Sequence, residues 1–125
     1  MSDWTVDEHK TAAGKSHFAQ FVAALSDAKD IKDTAVLVRA LGILGNQLRE
    51  PRSKSLGGGL FELRGTRVRI YYAFRQGRRV VLLGGYVKKR KDTPDDVLAL
   101  MRARLMEVES EYQKPRNGAA PKKGR

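Results

Sequence analysis

The stretch LFELRGTRVRIYYAFRQGRRVVLLGGYVKK, residues 60–89, decides the fold of this chain. It divides into three runs rich in β-branched and aromatic residues, 60–64, 67–74 and 79–88, parted by Gly65 and Thr66 and then by Gln76, Gly77 and Arg78. Connections that short predict antiparallel hairpins. Side chains alternate between the faces of a strand, so Phe61 and Leu63 share a face with Val68, Ile70, Tyr72 and Phe74. That apolar set is expected to pack on helices. Glu62, Arg64, Arg67, Arg69 and Tyr71 then fall together on the opposite, open face. The third run is apolar on both faces, as in a central or well-covered strand. Gly84 and Gly85 within it allow a bulge, which leaves the facing of Tyr86 and Lys88 undetermined.

Helical patterns flank this meander. Phe18, Phe21, Val22, Leu25 and Ala28 recur at helical spacing and predict a helix over 16–29. Residues 30–33 read as a polar break. Asp33 or Thr34 then caps a second helix, with Leu37, Leu41, Leu44 and Leu48 on one face and Pro51 at its end. Gly57, Gly58 and Gly59 read as a flexible lead-in to the meander, and residues 4–7 allow a short first strand. Thr93 and Pro94 suit a helix start, and Val97, Leu98, Met101, Leu105 and Val108 form the apolar face that follows. Residues 113–125 are basic, with Pro, Gly and Ala, and are expected to form a disordered tail after one domain over 1–112. Two helices, a meander and a third helix define an α+β fold.

Composition narrows the function. The chain has 125 residues, room for one domain. It has no cysteine, which removes disulfide scaffolds, thiolate zinc sites and thiol nucleophiles. His9 and His17 are the only imidazoles, so a multi-histidine metal site is not expected. The glycine run lacks the Gly-Lys-Ser/Thr of a nucleotide loop, so no cofactor is expected. Apolar runs fall short of a membrane span, and the first residues do not resemble a secretory signal; a cytoplasmic chain with no membrane partner is expected. The net charge is +11. It is concentrated in residues 49–91, which hold 13 basic and 2 acidic side chains, while 92–112 hold 2 and 6. A solubilising charge would be spread over the surface with both signs mixed. A basic segment points to a phosphate-bearing partner.

Arginines at alternate strand positions can grip phosphates with two donors each, and a phenol among them can stack a base. The same set can stabilise the charge that develops on a phosphodiester under attack. A solvated amphipathic sheet face would look alike residue by residue. It is the set, Arg64, Arg67, Arg69 and Tyr71 beside the run Lys88, Lys89, Arg90 and Lys91, that favours an RNA surface, with Lys54 adding to it.

These residues carry a family resemblance. KSLGGGLFELR, residues 54–64, resembles the lead into the sheet of RelE/HigB-type toxins of bacterial toxin–antitoxin modules, particularly the phage-derived HigB-like branch. RVRIYY, residues 67–72, is similar to that family's second-strand motif, and LLGGYVKK, residues 82–89, followed by Thr93 and Pro94, to its third strand, paired lysines and last helix. The resemblance covers about residues 36–108. It implies a RelE-like curved antiparallel sheet of three to four strands, packed against two N-terminal helices and a C-terminal one. It also implies a ribosome-dependent mRNA endonuclease, in which the 2′-hydroxyl attacks the adjacent phosphate, and a helix-turn-helix antitoxin partner. By position it makes Arg69, Arg64, Lys88 and Lys89 the charge-stabilising residues. Other members place lysines where this chain has Phe61, Glu62 and Leu63, or a histidine near the end, so the general base stays open between Glu62 and none. Tyr72 faces the core by parity, which makes Tyr71 the stacking candidate. A non-catalytic RNA- or ribosome-binding module on the same fold, and a subunit whose sheet face binds a protein partner, remain as alternatives.

Overall fold

A computed structural model describes residues 4–89 and 93–113 of the chain. Strand β1 (Thr5–Glu8) leads to helix α1 (His17–Ala23) and helix α2 (Ala28–Leu44). After a short 3-10 turn, Gly45–Gln47, come β2 (Ser53–Gly57), β3 (Leu60–Arg64), β4 (Val68–Arg75), β5 (Arg79–Val87) and helix α3 (Asp95–Gln113). All five strands join one sheet in the order β1-β5-β4-β3-β2. The β2–β3, β3–β4 and β4–β5 pairs are antiparallel, and β1 runs parallel to β5. The sheet is therefore mixed and five-stranded rather than antiparallel with three to four strands. The extra strand, β2, was hidden because Ser53, Lys54, Ser55 and Gly57 carry little strand propensity. Gly57, Gly58 and Gly59, all at positive φ, form the tight turn into β3 rather than a loose lead-in.

The helix boundaries also move. Ser16 caps α1, its Oγ accepting from the Ala19 amide at 3.0 Å, but the helix ends at Ala23 rather than near residue 29. Asp27 caps α2 through the Lys29 amide at 2.8 Å, so the break falls before Ala28, not at residues 30–33. Asp30 and Asp33 lie inside α2 and tie it to the sheet: Asp30 is buried against Arg67, and Asp33 accepts from the Thr66 amide at 2.9 Å. Two acids that look like a polar break are docking groups.

Gly45, not Pro51, terminates α2. Its φ is 51°, and a Cβ there would lie 2.0 Å from the Trp4 ring. Gly45→Ala is thus expected to destabilise the fold by about 2–4 kcal/mol, through both backbone strain and overpacking. Because Trp4 is the sole tryptophan, urea unfolding followed by its fluorescence measures both the lost stability and the displaced ring. A native spectrum with an unchanged midpoint would refute the close packing.

The sheet is covered on both faces. Phe18, Leu37 and Leu41 pack with Leu63, Val68, Ile70, Tyr72, Val80 and Leu82 on one side. On the other, Met101, Leu105 and Val108 of α3 cover Leu60, Tyr71, Ala73 and Leu83. Strand parity assigned these faces correctly. The second face is not open, however, because α3 lies across much of it. Burying three apolar side chains is worth about 1.5–3 kcal/mol each, enough to outweigh solvating that face. Arg102 fixes the helix from Nη1 and Nη2 to the Gly57 and Leu56 carbonyls at 3.0 and 2.7 Å, and Arg104 Nη1 donates to the Leu83 carbonyl at 2.9 Å. No helix among the described residues is long and apolar enough to cross a membrane.

Candidate nucleic-acid interface

On the α3 side the sheet grades from apolar to basic along its strands. At the edge of the area under α3 runs a cross-strand row of Lys54, Glu62, Tyr71 and Gly84, set by the registers Lys54–Glu62, Glu62–Tyr71 and Tyr71–Gly84, with Tyr71 still beneath the helix. The next row on the same face is Arg64, Arg69 and Tyr86. Arg64 and Arg69 are directly opposed across β3 and β4. Like charges so placed cost stability unless something compensates.

Glu62 supplies part of the compensation. It is buried, 4% exposed. Its Oε1 accepts from Arg64 Nε at 3.0 Å, and its Oε2 accepts from the Tyr71 hydroxyl at 2.8 Å. Both carboxylate oxygens are engaged, so the group is arranged to hold a guanidinium rather than to face solvent. Arg64 itself keeps 35% of its side chain exposed. Tyr71 is wholly enclosed. Burial, then the neighbouring Glu62 charge, pushes its phenol above the ordinary range, so it serves Glu62 as a neutral donor. An enclosed ring cannot stack a base, and this corrects the expectation for Tyr71.

Arg69 is also less open than strand parity implied. It is 9% exposed, and its Nη1 donates to the Gly65 and Val68 carbonyls at 2.8 and 3.0 Å. Those bonds fold the guanidinium back over the β3–β4 turn. Arg67 leaves the set altogether. Its Nη2 and Nε pair with the Asp30 carboxylate at 2.6 and 3.3 Å, with Asp27 at 3.8 Å, and this raises its pKa. Arg67 therefore secures α2 to the sheet. Lys88 continues the ladder one step beyond β5, its amide donating to the Arg67 carbonyl at 2.7 Å, and Lys89 is exposed next to it. Arg90 and Lys91 lie outside the described residues, as do residues 114–125 of the basic tail.

The sequence reading missed Tyr86. The β4–β5 register slips between Tyr71 and Tyr72, which pair with Gly84 and Leu82. The resulting bulge turns Tyr86 onto the α3 side, half-buried and opposite Arg69. The two glycines were the signal, but they did not say on which side of the bulge each later residue would fall. Beside Arg64 a shallow hollow of about 290 Å³ is lined by Arg52, Gly65, Thr66 and Asp33.

The coordinates define a small mixed α+β protein whose sheet carries opposed arginines at one end. The protein-family model described as Phage derived protein Gp49-like (DUF891) matches residues 20–106, and the chain belongs to that family. It is a RelE-like family associated with toxin–antitoxin modules, and it suggests a toxin with an antitoxin partner. No curated protein matches the chain.

Proposed function

We propose that this protein is the toxin of a phage-derived toxin–antitoxin module, of the HigB-like kind, and acts as a ribosome-dependent mRNA endonuclease. The observation that carries the reading is the Arg64–Arg69 pair, two cations opposed on neighbouring strands. A phosphodiester bound at this end would offset the charge of both, reaching Arg64 through its exposed third while Arg69 stays bonded to the turn carbonyls. When a 2′-hydroxyl attacks the adjacent phosphorus, negative charge grows on the non-bridging oxygens while the bond to the 5′-oxygen breaks. Guanidinium groups held in advance by Glu62 and by backbone carbonyls stabilise that charge without reorganising. Lys88 and Lys89 add positive charge at the same end, Lys54 extends the RNA track, and Tyr86 takes over the base-stacking role first given to Tyr71. Glu62 positions Arg64. A helix-turn-helix antitoxin would shield this basic end.

Induction of the protein alone is expected to arrest growth and to produce mRNA ends within ribosome-occupied codons, mapped by primer extension. A specific observation favours the non-catalytic alternative: Glu62 has both oxygens occupied, and the two histidines lie on a different part of the molecule, beside Glu107. Folded protein that co-sediments with ribosomes or RNA yet leaves transcripts intact would make it a binding module instead.

A further inference from the structure

The chain's two histidines, His9 and His17, serve no part of the proposed RNA chemistry, yet the fold brings them together. His9 follows β1, and His17 opens α1. The His17 amide donates to the His9 carbonyl at 3.2 Å, and a bridge between Lys10 and Ser16 closes the loop between them. The two rings stand 5.3 Å apart, centre to centre. From the opposite layer, Glu107 of α3 reaches the same spot, its Oε1 2.9 Å from His9 Nε2. One ligand atom from each of the three residues lies within 4.8 Å of the others. All three residues fall outside the span 20–106 that matches the family model.

We propose that His9, His17 and Glu107 form a binding site for a borderline divalent transition-metal ion, Zn²⁺ in the first place, which clamps the β1–α1 loop to α3. Two imidazole nitrogens and one carboxylate oxygen are a donor set suited to such an ion and poorly suited to Mg²⁺ or Ca²⁺. Tetrahedral zinc with bonds of about 2.0–2.1 Å needs its ligands about 3.4 Å apart. His9 is nearly enclosed, whereas the Glu107 side chain is 62% exposed and reaches it from the solvent side. A hollow of about 690 Å³ lies on the His9 side of the cluster, lined by His9 with Asp7, Glu8 and Glu111. Arg104 is the opposing charge. Its Nη1 is directed to the Leu83 carbonyl and lies 3.9 Å from Met101 Sδ, and the Glu107 carboxylate offsets it.

The site lies about 18 Å along α3 from the helix start, twelve residues at about 1.5 Å each, so its role is to hold the fold rather than to cut RNA. The test uses untagged protein, since these are the sole histidines and cysteine is absent. ZnCl₂ at about 100 times the dissociation constant is expected to raise the melting midpoint by about 5–10 °C, reversed by EDTA. Calorimetric titration should give one ion per chain, and MgCl₂ should do nothing. His9 is buried and its loss can unfold the chain, so the variants are His17→Ala and Glu107→Gln. Each is expected to weaken Zn²⁺ by at least about tenfold, since loss of an outer partner alone costs about that much. No midpoint change with Zn²⁺, or an equal change in the double variant, overturns the site and leaves a hydrogen-bonded clasp or adventitious ion binding.

Discussion

Protein carrying Arg64→Ala together with Arg69→Ala is expected to be tolerated by cells that the parent arrests, and to leave their transcripts uncut. In the proposed function each arginine is a fixed donor toward a charge that grows during phosphodiester attack, and removing one such donor typically costs about 10²–10³-fold in rate. The pair removed together brings cutting to background. Stability has to be measured alongside, because the two arginines are not equivalent. Arg64 keeps about a third of its side chain in solvent, whereas Arg69 is 9% exposed and bonded to two carbonyls. Arg69→Ala alone should cost about 1–3 kcal/mol, since a buried charged donor leaves its acceptors behind. The informative measurement is in vitro, on ribosome-bound mRNA, at a temperature where circular dichroism shows every variant folded. Parental cutting by the folded double variant would move the chemistry away from this end of the sheet.

The meander was legible because its signals are local. Leu60–Arg64 was read to the residue, and β4 and β5 to within one, since short turns and alternating apolar residues need no tertiary knowledge. Parity also placed Tyr72 in the core, where it is enclosed and bonded to Ser53. What the sequence could not convey is which helix covers which face. The apolar face of α3 was recognisable from Met101, Leu105 and Val108, but its docking over Tyr71 and Ala73 depends on anchors distant in sequence, such as Arg102 on the β2–β3 turn. The same holds for charge. Asp30 and Arg67 are 37 positions apart, and their pairing both continues α2 and withdraws Arg67 from the basic row. A count of arginines therefore overstated the open set and missed Tyr86, whose facing depends on a single bulge.

That folded arrangement also makes the role of Glu62 decidable. A general base needs a free carboxylate oxygen within reach of the 2′-hydroxyl. In this chain one oxygen is taken by Arg64 and the other by an enclosed Tyr71 hydroxyl. Glu62→Gln should accordingly slow cutting by only about tenfold, or about 1.4 kcal/mol, because the amide still offers Arg64 an acceptor but no charge. Arg64→Ala should slow it by about 10²–10³-fold, and the two changes combined should do no more than Arg64→Ala alone. The pH profile of cutting should keep its acidic limb in Glu62→Gln. A base would behave differently on each count. Its loss would cost about 10²–10⁴-fold, would add to the loss from Arg64→Ala, and would flatten the acidic limb. Full additivity in this cycle would refute the positioning role and make Glu62 the group that takes the proton.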